Sequence, residues 1–140
     1  MRYRDGSNRG RRAAAAVEFV IVMPVVILLF VFAMDFCRLF YYQTVLTNCA
    51  RSGAIYEADP TSQPQSPYAS TTAAAQADWP SDLGTAPTPS VTYSTSGGVT
   101  YATVTMNYTF QTLLSYTGIP ATVNLTANVQ VRVAQRYPSF

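Results

Sequence analysis

The sequence of 140 residues contains no lysine and no histidine, and only 11% of its residues are charged. Soluble domains usually carry roughly 25% charged residues. Without histidine and lysine, the chain cannot form a Ser-His-Asp site or a Schiff-base site. It also lacks a glycine-rich phosphate-binding loop, because its Gly-Gly pair lies between two predicted strands. We therefore expect a protein that is not an enzyme and binds no cofactor.

Metal-binding residues are scarce as well. The two cysteines, Cys37 and Cys49, fall in a stretch predicted to be helical, where their separation is roughly 18 Å. That distance excludes a disulfide within one helix, and we favour packed thiols over an intermolecular disulfide. Four acids lie in predicted loops: Glu57, Asp59, Asp78 and Asp82. A calcium site needs many oxygen ligands held together, so we expect solvated loop acids and no metal site.

The N-terminal part of the chain combines a basic block with a long apolar run. Residues 13–34 are apolar apart from Glu18, and as a helix they extend roughly 33 Å, which matches the hydrocarbon layer of a bilayer. A basic block could serve as a nucleic-acid arm, but beside such a run it is typical of the cytoplasmic flank of a membrane span. We expect no nucleic-acid partner. Five arginines form the block: Arg2, Arg4, Arg9, Arg11 and Arg12.

A secretory signal peptide is the competing interpretation of this run. The run is longer than a usual signal-peptide core, and no small-x-small cleavage pattern follows it in residues 32–36. The segment is therefore interpreted as a retained anchor. Pro24 removes one backbone donor and predicts a kink or a local loosening of the helix.

Beyond the span, the helix is predicted to continue to about Tyr56. Asp35 and Arg38 lie three positions apart on one helical face and could pair at the membrane interface. The small residues 50–54 allow another backbone to approach, and packing in the chain's own core explains them as well as a partner helix would. The continuation is indicated by residues at helical spacing: Leu39, Tyr42, Leu46, Ala50 and Gly53.

The C-terminal part alternates with period two, which predicts strands. A short strand begins at Val91, residues 96–98 form a turn, a second strand covers residues 101–110, and a third covers residues 123–133 after a linker with Gly118 and Pro120. We predict an α+β fold, in which a long N-terminal transmembrane helix packs its extramembrane half on a small three-stranded antiparallel sheet. The predicted organisation is a basic cytoplasmic leader (1–13), a transmembrane helix (14–35), its extramembrane continuation (36–56), a Pro/Ser-rich linker with a short helix (57–90) and the β domain (91–140).

Glu18 is the one charged group within the apolar run. A carboxylate inside a membrane span costs a few kcal/mol, about 3 kcal/mol on insertion scales, and therefore usually has a partner or a function. One interpretation is that Glu18 only marks the membrane interface. The other is that Glu18 neutralises a positive group held at the same depth by a neighbouring subunit, such as an amino terminus freed by cleavage just upstream.

The stretch from Arg11 to Phe19 resembles the processing site of TadE-like pseudopilins, which belong to the tight-adherence (Flp, type IVb pilus) machinery of bacteria. The resemblance continues through Pro24, residues 35–40 and Gln43, and then through the Asn-x-Ala-Arg-x-Gly-Ala pattern of residues 48–54. It covers about residues 9–56, and the C-terminal strands fit the family only in general character.

The resemblance implies that a prepilin peptidase cuts between Ala13 and Ala14, so that Glu18 becomes the fifth mature residue and Phe19 follows it. The family usually has glycine before the cut, where this chain has Ala13, and small residues in place of the two cysteines. We expect the helix interface with other subunits to involve these residues: Asp35, Arg38, Asn48, Arg51 and Gly53.

The function that the resemblance implies is that of a minor pseudopilin supporting the assembly of Flp-type pili, and through them adherence and biofilm formation. The implied location is the bacterial inner membrane, with a cytoplasmic N-terminus and a periplasmic C-terminus. The implied partners are the inner membrane, the prepilin peptidase, other pilin-like subunits and the pilus assembly machinery. The alternative is an unprocessed single-pass membrane protein whose extracytoplasmic β domain binds a ligand or partner through its Thr- and Tyr-rich strand faces.

Overall fold

The computed structural model describes residues 7–113 and 120–134, with side chains described from residue 13 onward. The predicted leader residues 1–6, the linker around Gly118 and the end of the β domain (135–140) lie outside the described residues. The chain forms two compact units, Met1–Cys37 and Arg38–Phe140. The described elements follow in chain order: α1 (Ser7–Ala58), a 3-10 turn (Gln63–Gln65), α2 (Thr71–Gln76), a second 3-10 turn (Ser81–Leu83), β1 (Ser90–Ser96), β2 (Val99–Gln111) and β3 (Thr122–Arg132).

Helix α1 is 52 residues long and continues through Pro24. It ends at Ala58, two residues beyond the predicted end at Tyr56. The following Asp59 precedes Pro60, and a residue before proline is driven out of the helical conformation, so the helix stops there. Glu57, which was predicted to be a solvated loop acid, lies instead in the last turn of α1 and is only 8% exposed. That prediction was wrong because the contacts that hold Glu57 come from distant parts of the chain.

The three strands form one antiparallel sheet in the order β1-β2-β3, so the predicted α+β fold is confirmed. A two-residue turn joins β1 to β2, and both of its residues, Gly97 and Gly98, have positive φ angles of 59° and 76°. A hairpin turn of this kind requires positive φ at both central positions, which only glycine adopts without strain. Strand β2 pairs with β3 in unbroken register from Tyr101↔Arg132 to Gln111↔Thr122.

The core of the Arg38–Phe140 unit lies between the sheet and residues 38–58 of α1, with α2 closing one side. The short helix expected around residues 73–75 is α2, and its first turn is capped by Ser70, whose hydroxyl oxygen accepts the backbone N–H of Ala73 at 3.1 Å. Burying one apolar stripe of α1 on one sheet face is the main source of stability here. The core cluster consists of Leu46, Cys49, Ala50, Ala75, Trp79, Met106, Phe110, Leu125 and Ala127.

Candidate functional site

The first part of α1 presents apolar side chains on all sides. Ala13, Ala14, Glu18 and Phe19, the predicted processing residues, are all exposed on this helix. The most apolar part of the Ala13–Ala58 stretch has a mean hydropathy of 2.8, and none of it is buried within the chain. Among the described residues, α1 is the one helix long and apolar enough to cross a membrane. An apolar surface of this size is unfavourable in water, so it requires lipid or other subunits around it.

The second part of α1 carries two predicted interface residues, Asn48 and Arg51, on its solvent side. Both side chains are exposed, and together with Val45, Ser52 and Asp78 they line a shallow groove of about 400 Å³. The Ser52 hydroxyl donates a hydrogen bond to the Asp78 carboxylate across this groove. The groove is therefore an open, polar surface that a partner chain can reach.

Gly53, also predicted at a helix interface, lies in the core of its own chain. A Cβ atom at this position would lie 3.1 Å from the Ala75 Cβ and 3.3 Å from the Val104 Cγ1. These distances are shorter than ordinary van der Waals contacts, so the crossing of α1 with α2 and β2 depends on a residue without a side chain. The close approach that residues 50–54 allow is thus made within one chain, with Ala50 and Ala54 buried as well.

The other two predicted interface residues, Asp35 and Arg38, are half-buried. The guanidinium carbon of Arg38 lies 5.0 Å from the centroid of the Phe110 ring, which is a cation–π distance. Tyr42, one turn further, stacks on Tyr108 with ring centroids 5.2 Å apart and meets Phe110 edge-on at 5.3 Å. Burial raises the pKa of the Tyr108 phenol. The start of the Arg38–Phe140 unit is therefore held by aromatic contacts between α1 and β2.

Glu57 connects three elements of the fold through its side chain, a role that its sequence context does not indicate. Its carboxylate accepts hydrogen bonds from the hydroxyl of Thr71 and from that of Tyr93, the latter at 2.7 Å. These three residues belong to α1, α2 and β1, so one buried carboxylate joins three elements. The hydrogen bond to Glu57 raises the pKa of Tyr93, because it holds the proton of the phenol.

Asp59 closes the turn that follows α1. Its carboxylate accepts hydrogen bonds from the hydroxyls of Ser62 and Thr61, both at 2.5 Å, and from the backbone N–H of Thr61 at 2.9 Å. These hydrogen bonds lower the pKa of Asp59 to about 2, and the bond from Ser62 has the largest effect. Across residues 7–113 and 120–134 there is no group of three or more His, Cys, Asp or Glu side chains arranged to hold a metal ion.

The two cysteines occupy different surroundings. Cys37 is exposed on α1, whereas Cys49 is fully buried in the core cluster. We expect a maleimide to modify one thiol per chain in the folded, detergent-solubilised protein, and both thiols after denaturation. Mass spectrometry of the intact chain and of its Cys37→Ala variant would test this. Rapid labelling of folded Cys37→Ala protein would contradict the placement of Cys49.

The outer face of the sheet is polar, and its side chains largely bond to one another. Thr126 donates to the Asn107 amide oxygen at 2.8 Å, and Thr109 donates to that of Asn124 at 3.1 Å. Such cross-strand pairs stabilise the sheet, so the Thr and Asn side chains of these strands contribute to its stability.

Comparison with known protein families gives a match to part of the chain. The sequence model of the family described as TadE-like protein matches residues 13–54, which confirms the resemblance over that segment. The matched segment contains the candidate membrane span, Glu18, the exposed Asn48 and Arg51, and the buried Gly53. Searches among curated proteins and among solved structures found no significant match to the chain.

Proposed function

We propose, on the basis of the match between residues 13–54 and the TadE-like family, that the protein is a minor pseudopilin that supports assembly of Tad (Flp-type) pili. Its role is structural and not catalytic. The observation that carries this proposal is the coincidence of the matched segment with the one candidate membrane helix of the described chain and with the single carboxylate in its apolar part.

The proposed location is the inner membrane, with the N-terminus in the cytoplasm. The apolar stretch supports anchorage because, among the described residues, none of the side chains in its most apolar part is buried. The five arginines before residue 13 support the orientation, since basic residues flank membrane spans on the cytoplasmic side. On this topology the Arg38–Phe140 unit lies in the periplasm, where it is available to other pilin-like subunits.

The proposed processing step is hydrolysis of the peptide bond between Ala13 and Ala14 by a prepilin peptidase. Hydrolysis leaves a positively charged amino group on Ala14, one helical turn before Glu18. In a bundle of such helices, the amino group of one copy pairs with Glu18 of a neighbouring subunit. The pair removes two isolated charges from an apolar environment, where each alone is costly. Assembly is therefore coupled to cleavage, because an uncut chain has no amino group at this depth.

Replacing Glu18 with alanine tests this proposal in cells that carry the matching Tad machinery. We expect Glu18→Ala protein to accumulate in the membrane as the unchanged protein does. The number of pili on the cell surface should fall at least about tenfold, because leaving one charge unpaired costs at least about 1.4 kcal/mol of association free energy, which is a tenfold change in the equilibrium. Piliation would be counted by electron microscopy and compared with membrane content by immunoblot.

Asp82→Ala is the matched control, since Asp82 is an exposed acid of the Arg38–Phe140 unit. This variant should assemble pili normally. Normal piliation in Glu18→Ala cells would overturn the proposed role of the carboxylate.

A further inference from the structure

The two edges of the β-sheet carry open backbone groups that the proposed function does not use. The backbone N–H of Val133 donates to the Thr100 carbonyl at 2.9 Å, and that of Thr112 donates to the Ala121 carbonyl at 3.0 Å. The backbone N–H and C=O groups of odd-numbered β3 residues therefore point toward β2, and those of even-numbered residues point outward from the edge of the sheet. The same alternation leaves the backbone groups of Val91, Tyr93 and Thr95 facing outward from β1.

The β3 edge is little protected between residues 126 and 134. Across the described ranges 7–113 and 120–134, α1 contacts the outward side of β3 and its continuation at two points. The Gln43 side-chain amide donates to the Thr126 carbonyl at 3.1 Å, and just past the strand the backbone N–H of Ala134 donates to the Ala58 carbonyl at 2.7 Å. Strand β3 is 11 residues long, pairs with β2 without a bulge, and contains no proline and one charged residue, Arg132. Natural sheets usually guard a long edge with lysine, proline or a bulge, and this chain contains no lysine at all. An edge of this kind is suited to pairing with another strand.

The apolar side chains at the two edges are complementary. Tyr93, at the β1 edge, lies on the helix-covered face but is 60% exposed. At the β3 edge, Val129 and Val131 lie on the same face and are half-buried. The registers place Tyr93 level with Ala102 and Val131, and Val91 level with Val104 and Val129. If strand β1 of a second copy pairs with the β3 edge at the same level, Tyr93 and Val91 of that copy lie beside Val131 and Val129.

We propose that copies of this chain associate head to tail, with the β3 edge of one copy paired to the β1 edge of the next. Strands β1 and β3 are both antiparallel to β2, so copies in the same orientation pair these edges in parallel. The common orientation rests on the proposed membrane anchorage, whereas the complementarity of the edges does not. Head-to-tail pairing uses both edges and leaves an open end for each further copy, while a two-fold β3–β3 dimer would leave Tyr93 exposed.

Cross-linking between different copies tests this pairing directly. Thr92 and Gln130 are exposed on the polar face and level with each other through Thr103 of β2. Thr92→Cys and Gln130→Cys proteins, each in a Cys37→Ala background, would be treated in detergent with a short bismaleimide. We expect a cross-linked dimer when the two proteins are mixed and none from either alone. Buried Cys49 does not compete.

Two variants at Tyr93 provide the second test. Tyr93→Thr removes the exposed ring and is expected to abolish the cross-linked dimer, whereas Tyr93→Phe keeps the ring, loses only the bond to Glu57, and is expected to preserve the dimer. Dimers from Gln130→Cys protein alone would show a two-fold arrangement and overturn the proposal, as would the absence of any cross-link in the mixture. Because purified protein is used without peptidase or pilus machinery, this result is independent of the Glu18→Ala assay.

Discussion

Replacement of Gly53 by valine is expected to unfold the Arg38–Phe140 unit or to lower its melting temperature by more than about 10 °C. Even one methyl group at this position would lie 3.1 Å from the Ala75 Cβ and 3.3 Å from Val104 Cγ1. Overpacking of a close-packed core costs about 1–3 kcal/mol, and the branched valine exceeds what the crossing can accommodate. Gly53→Ala should cost less, because the better helix propensity of alanine offsets about 1 kcal/mol of the strain.

The fluorescence of Trp79, the single tryptophan, reports on this core. Its ring lies 5.2 Å from that of Tyr108, and its indole N–H donates to the Gly84 carbonyl at 3.1 Å, so unfolding exposes it to water. Thermal unfolding would be followed in detergent. Asn48→Val introduces the same side chain at an exposed position of the same helix and should shift the transition by less than about 3 °C. Equal melting temperatures for Gly53→Val and unchanged protein would contradict the crossing.

Replacement of Glu57 by alanine is expected to lower the free energy of unfolding by about 2–4 kcal/mol. The carboxylate is buried and accepts hydrogen bonds from Thr71 and Tyr93, so its removal leaves two hydroxyl groups without their acceptor and a small cavity between three elements. Urea unfolding monitored by Trp79 would measure the loss.

Two variants separate the contributions at Glu57. Tyr93→Phe removes one of the two hydrogen bonds and should cost about half as much, and Asp82→Ala, an exposed acid, should stay within about 0.5 kcal/mol of the unchanged protein. A Glu57→Ala variant as stable as Asp82→Ala would show that the buried carboxylate does not hold α1, α2 and β1 together.

The Glu57 contact also makes stability depend on pH. In the folded protein the hydrogen bond to Glu57 raises the pKa of Tyr93 above the ordinary value of 10.0. The stability from this bond is therefore complete below pH 10 and is lost as the pH rises through the raised value, since the unfolded chain releases the proton first. We expect unchanged protein to lose more stability than Tyr93→Phe in alkaline solution, and parallel profiles for the two would exclude the effect.

Periodicity predicted much of the architecture because it records burial along single elements. The apolar run of residues 13–34 and the alternation of β2 and β3 each report which faces avoid water, and the Gly97-Gly98 turn is local chemistry. The helix spacing of Leu46 and Ala50 likewise identified the stripe of α1 that is buried on the sheet.

Contacts between distant segments could not be predicted in this way. Glu57 is separated by 14 positions from Thr71 and by 36 from Tyr93, and nothing in its own neighbourhood distinguishes it from a solvated loop acid. The small size of Gly53 indicated that another backbone approaches it closely, but did not identify the partner, because only the tertiary fold brings α2 and β2 to this residue. Asn48 and Arg51, in contrast, remain on the surface, where the predicted contact with another subunit requires a second chain.

We propose that the segment matched to the TadE-like family is a processed membrane anchor. This proposal can be tested by N-terminal sequencing of the protein purified from membranes of cells with an active prepilin peptidase. We expect a chain that begins at Ala14 and carries Glu18 as its fifth residue, and we expect Ala13→Gly protein to be cut at least as completely. A membrane protein that begins at Met1 in such cells would contradict it.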